Sequence, residues 1–154
     1  MADLYWVTSA TAASPAAAFD AVELVEPGTG ILYVRRVMLY QVTDVGDSQE
    51  EILRTEWIRG TATSGSGGQT TVITPLNSFD AAATFTAELL NTTVASTGTP
   101  VSLAVGGWNI RIPLDILYPP GEYITARNGE RIVFRVSAPA DAITVNCSCL
   151  VEQQ

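Results

Sequence analysis

The sequence predicts an all-β fold, an antiparallel β-sandwich that is jelly-roll-like, and three observations carry that reading. Apolar residues recur with a period of two in the segments that hold most of them. Those segments concentrate β-branched and aromatic residues, and short turn signals separate about nine or ten of them with no helical stretches in alternation. At 154 residues, 47% hydrophobic and 16% charged, the chain has the length of one domain and enough apolar side chains for a core.

Taken in order, strands are expected at 4–8 and 21–26. The stretch 31–43 is long and β-rich, and 52–59 follows a polar turn around Gly46, so the two read as a hairpin. Shorter strands are expected at 83–89, 101–105, 108–112 and 122–125. At 131–136, Ile132 and Phe134 stand against Arg131 and Arg135, and the strand stops before Pro139. In the last strand Ile143, Val145, Cys147, Cys149 and Val151 alternate with Thr144, Asn146, Ser148, Leu150 and Glu152, which turns the first set toward a core. Cys147 and Cys149 share that face but are too far apart for easy bridging, so both are expected to be free, inert thiols. Pro15 interrupts the alanine-rich 12–19, and residues 1–19 read as a weakly structured N-terminal arm before a single sandwich domain at 20–154. The glycine-rich connection 61–71 and the threonine-rich 91–100 read as mobile surface loops, and 113–121 as a proline-rich connection.

Composition excludes much chemistry. Sixteen acidic residues against eight basic ones give a net charge of −8, and the sequence has no histidine and no lysine. A histidine base, a lysine Schiff base and the lysine of a phosphate-binding loop are therefore all missing. Serine nucleophiles lack their base, and Gly65 to Gly68 read as a flexible turn rather than a phosphate cradle. The arginines are scattered, so no basic stripe for nucleic acid is expected. No apolar run approaches the roughly 20 residues of a membrane helix, and 31–34 is stopped by Arg35 and Arg36. Residues 1–7 do not have the pattern of an export signal, so Asn91-Thr92-Thr93 and Asn146-Cys147-Ser148 read as chance matches to the glycosylation motif.

Three constellations remain to be weighed. Asp44, Asp47, Glu50 and Glu51 surround Gly46 with spacing unlike a calcium-binding EF-hand, and read as a solvated acidic hairpin with a calcium-stabilised loop as the alternative. A carboxylate pair of glycosidase type would have to come from Glu56, Glu88, Asp115 or Glu122, and nothing in the sequence brings two of them together. Trp6, Trp57 and Trp108, with Tyr5, Tyr33, Tyr40, Tyr118 and Tyr123, would suit a sugar platform, but in strands they read first as core or subunit interface. No cofactor and no metal site is expected.

The order of landmarks adds a resemblance. Ile31-Leu32-Tyr33-Val34-Arg35-Arg36-Val37 and Glu51-Ile52-Leu53-Arg54 lead to Trp57-Ile58-Arg59-Gly60 and then to Thr61-Ala62-Thr63-Ser64-Gly65-Ser66-Gly67-Gly68. Asn91-Thr92-Thr93, Trp108-Asn109-Ile110-Arg111, Asn128-Gly129-Glu130-Arg131-Ile132-Val133 and Ala138-Pro139-Ala140-Asp141 follow. From about Ile31 onward the chain resembles small β-sandwich virion proteins of tailed bacteriophages, of the capsid-decoration or minor head type. The resemblance implies a jelly-roll-like, homotrimeric subunit on a capsid or tail; with catalytic parts missing, the expected role is a non-enzymatic protein, made in the host cytoplasm, that binds the major capsid protein on the outer capsid surface. A carbohydrate- or receptor-binding module of a tail or head fibre is the alternative. The candidate capsid or subunit interface is the apolar set Leu4, Tyr5 and Trp6 with Leu114, Ile116 and Leu117.

Overall fold

The computed structural model describes residues 2–28, 30–42, 50–140 and 143–154. Strand and isolated bridges account for 57% of the described residues, with no helix among them. In chain order the strands are β1 (Asp3–Ser9), β2 (Phe19–Val25), β3 (Ile31–Gln41), β4 (Ile52–Arg59), β5 (Thr71–Pro75) and β6 (Thr86–Asn91). They continue with β7 (Val101–Asn109), β8 (Leu114–Leu117), β9 (Ile124–Arg127), β10 (Arg131–Val136) and β11 (Val145–Gln153).

Two antiparallel sheets pack face to face. Sheet A runs β5-β1-β11-β3-β8, with β9 also paired to β3, and sheet B runs β6-β2-β10-β4-β7. Setting aside β5, β6 and β9 leaves β1-β11-β3-β8 over β2-β10-β4-β7. Each consecutive couple β1/β2, β3/β4, β7/β8 and β10/β11 is split between the sheets, which is the jelly-roll arrangement. The predicted fold class therefore holds. The predicted hairpin does not: β3 pairs with β11, β8 and β9, whereas β4 pairs with β10 and β7. Two neighbouring β-rich segments look the same in sequence whether they pair or cross to the opposite sheet.

The N-terminal arm is also corrected. β1 is an inner strand of sheet A, paired with β11 on one side and β5 on the other. Its Tyr5 and Val7 are buried. The core between the sheets takes alternate residues of each strand: Leu32, Val34, Val37 and Leu39 from β3, Trp57 from β4, Phe134 from β10, and Cys147, Cys149 and Val151 from β11. The strand expected at 101–105 and that at 108–112 are one, β7, and β8 lies inside the expected proline-rich connection.

Between β4 and β7 the chain makes a 41-residue detour that adds β5 and β6 to the far edges of the two sheets. Its outgoing and returning limbs, expected as mobile loops, bridge each other at Thr63 and Ser96, Ser66 and Thr93, and Gln69 and Leu89. Their glycines answer to space. A Cβ at Gly65 would lie 2.7 Å from the carbonyl oxygen of Thr93, and one at Gly68 would lie 2.6 Å from that of Leu89.

Candidate functional site

The outward faces of the two sheets differ. On sheet B, β2 carries Asp20 and Glu23, both fully or almost fully buried. A register shift against β10 at Phe134/Arg135 sets Ala21 out of step, so two acids three positions apart both point outward. The detour covers them. Glu23 accepts from the Gly65 amide at 2.9 Å and from the Asn91 side-chain amide at 3.1 Å, and pairs with Arg131 at 2.7 Å. Asp20 accepts from the Ala95 amide at 2.6 Å and from Arg135 at 2.7 and 3.2 Å. Arg135 and Arg131 in turn donate to the carbonyls of Ala95 and Ala62, both at 2.7 Å. Between these pairs Ile58, Ala95 and Val133 are buried apart from the central core. Burial pushes the Asp20 carboxyl above the ordinary aspartate value, against the pull of its Arg135 hydrogen bonds. This polar belt fastens the detour to the sheet.

Sheet A presents a different surface. Its outward positions include Leu4, Trp6, Met38, Tyr40 and Leu150, all partly exposed. Registration aligns them: Trp6 stands opposite Leu150, Leu150 opposite Arg36, and Arg36 opposite Leu117. Leu117 is 71% exposed. The charges in these rows neutralise one another, since Arg36 holds Asp115 by two hydrogen bonds of 2.7 and 2.5 Å. Those bonds hold the Asp115 carboxyl below the ordinary aspartate value. Toward one end Arg35 pairs with Glu152 and lies 4.1 Å over the Tyr123 ring, which in turn packs edge-on against Tyr33.

The six residues named from sequence as an interface divide by strand parity. Leu4, Trp6 and Leu117 lie on this outward face, Leu4 and Trp6 on β1 and Leu117 at the other end of the Trp6 row on β8, with β11 and β3 between them. Tyr5 is buried in the core, and Leu114 and Ile116 pack against it from β8. Those three do not belong to the outer surface, because on a pleated strand every second side chain turns inward. Of the proposed aromatic platform, Tyr5, Trp57 and Trp108 are buried, and the Trp57 indole donates to the Tyr118 hydroxyl at 2.6 Å.

The remaining candidates stay dispersed. Asp44 and Asp47 lie outside the described residues, while Glu50 accepts from Asn109 at 3.0 Å and Glu51 from the Ala140 amide at 2.8 Å. Glu56 pairs with Arg54 on sheet B, Asp115 with Arg36 on sheet A, and Glu88 with Asn91 on β6. Among the described residues no group of three or more Cys, Asp or Glu side chains is placed to hold a metal ion. A recess of about 280 Å³ lies beside the glycine turn, lined by Gly65 to Gln69, Glu88 and Asn91.

Comparison with protein-family models, with curated proteins and with solved structures finds no match. The functional reading therefore stands on the geometry and on the resemblance in the order of landmarks. Sequence reasoning missed Asp20 and Glu23. Two acids inside the apolar run Phe19-Asp20-Ala21-Val22-Glu23-Leu24-Val25 were the signal, since an acid in a fully buried strand needs a partner.

Proposed function

We propose that this protein is a non-enzymatic structural protein of a tailed-bacteriophage virion, which binds the outer capsid surface as a decoration protein and braces neighbouring capsid subunits. The observation that carries this reading is the difference between the two sheets. On sheet B the chain's own detour covers the outward face over β2 and β10, whereas sheet A presents Trp6, Leu150, Met38 and Leu117 in registered rows with its charges internally paired. Such a face loses little by leaving water and suits a broad protein contact. The partners are the major capsid protein and further copies of the chain, in threefold association as the resemblance implies.

The test is co-sedimentation with expanded capsids of the phage that encodes the protein. Wild-type protein is expected to pellet with them, and Trp6→Glu to remain in the supernatant while keeping its fold. Wild-type protein that stays in the supernatant would overturn the proposal. The second reading, a carbohydrate- or receptor-binding module, has the polar recess at Gly65 to Gln69 and Asn91 in its favour. Binding on a glycan array that Glu88→Gln abolishes, without capsid binding, would move the assignment there.

A further inference from the structure

The five edge strands are not equally protected, and β9 has only four residues and ends in Arg127. β5 has five residues and ends in Pro75, β6 has six and is bridged at Leu89 by Gln69, and β8 has four, carries Asp115 and lies between Pro113 and Pro119. Short length, prolines, charges and covering segments are the devices that keep sheet edges from pairing with another chain. β7 has nine residues without a charged side chain or a proline. Val101 and Val105 are 50% and 58% exposed, and Ser102, Ala104, Gly106 and Gly107 are exposed as well. A register shift opposite Trp57/Ile58 sets Leu103 out of step, but 104–109 runs regularly along β4. On this stretch alternate backbone amides and carbonyls turn away from β4 toward solvent.

We propose that β7 is the pairing edge for a second copy of this chain, with β7 joined antiparallel to its equivalent about a twofold axis at Gly106. Three features of the strand select this occupant. In that register Val105 of one copy stands opposite Gly107 of the other, so the exposed valine meets the one residue type that leaves room for it. On the outward face Arg54 is level with Gly107 and Glu56 with Val105. Each Arg54 is already paired with the Glu56 of its own copy at 2.8 Å, so the twofold sets no like charges against each other beside the seam. Along the strand Ala104, Val105 and Gly106 border an apolar recess of about 210 Å³, lined also by Thr55, Trp57, Ile116, Tyr118 and Phe134. A second copy on this edge closes its mouth to water. Two sheets B then become one continuous ten-stranded sheet across the pair.

The inference does not rest on the capsid reading, and the experiment separates the two. Light scattering on the full chain at about 100 µM should give an even number of chains, and Val105→Lys, at an exposed position, should halve that mass while circular dichroism stays unchanged. With threefold association the change is from six chains to three, and without it from two to one. Gly106→Cys should form a disulfide-linked dimer on mild oxidation of the native protein, since its only other thiols are buried. A monomeric wild type, or a Val105→Lys variant of unchanged mass, overturns the proposal. A halved mass without the Gly106→Cys cross-link overturns the Gly106-centred pairing. Trp6→Glu should leave the mass change on Val105→Lys intact whatever its effect on capsid binding.

Discussion

The backbone amide of Gly65 donates to the buried carboxylate of Glu23 at 2.9 Å, placing a glycine-rich turn directly over a charge inside the fold. That contact decides how the turn responds to substitution. In a flexible loop, glycine to alanine stabilises by about 0.4–1 kcal/mol through the unfolded chain. Here the added methyl collides with backbone, so Gly65→Ala and Gly68→Ala should each cost about 1–3 kcal/mol. Urea unfolding midpoints check both magnitude and sign.

The belt beneath the detour makes a second expectation. Arg135→Met leaves Asp20 buried without its cation, and breaking a buried pair in this way should cost about 3–5 kcal/mol near neutral pH. The pH dependence has a definite sign. Burial already raises the folded-state pKa of Asp20 and loss of Arg135 raises it further, so the folded protein binds the proton more tightly than the unfolded chain. The deficit of the variant should be smallest below the ordinary aspartate value and should grow as pH rises through the folded pKa. Thermal melts of both proteins at pH 3.5, 5 and 7 measure it.

Asp115 behaves oppositely. Its hydrogen bonds to Arg36 lower its folded-state pKa, so its contribution is present above the ordinary aspartate value and is lost as pH falls through the folded one. The pair is exposed, and salt should weaken it. Carboxyl titration by NMR should place Asp115 below an ordinary aspartate at low ionic strength and return it toward that value in 1 M salt.

For the cysteines the expectation is inertness. Burial pushes the Cys149 thiol up to about 12 and Cys147 well above its ordinary value. A thiol reagent at pH 8 should find no reactive group in the native protein and two per chain after unfolding in denaturant. A fast-reacting thiol in the native state would place β11 differently.

Period-two patterning made the fold class legible, along with most strands and the inward turn of Cys147 and Cys149 on β11. Strand partners were less legible, because Ile31–Gln41 and Ile52–Arg59 have the same β-rich composition whether they pair or cross between sheets. The strand at 4–8 was legible, but its inner place in sheet A was not. Leu4 and Trp6 face out and Tyr5 and Val7 face in, so an apolar run shows no alternation to read. The same parity split the interface candidates, keeping Leu4, Trp6 and Leu117 and withdrawing Tyr5, Leu114 and Ile116 to the core side. In the detour the glycines signalled close approach between two limbs whose bridged positions are 20 to 33 residues apart, which a local window reads as looseness.

The placement of β11 between β1 and β3 bears on how the protein comes to be made. A ribosome releases β1 and β3 long before the strand that must lie between them, so sheet A cannot close while 145–153 is still being synthesised. Early strands wait with open edges until 145–153 has been made. Because its pairings span most of the sequence, refolding should be slow for a chain of this length, on the timescale of milliseconds to seconds typical of non-local β topologies.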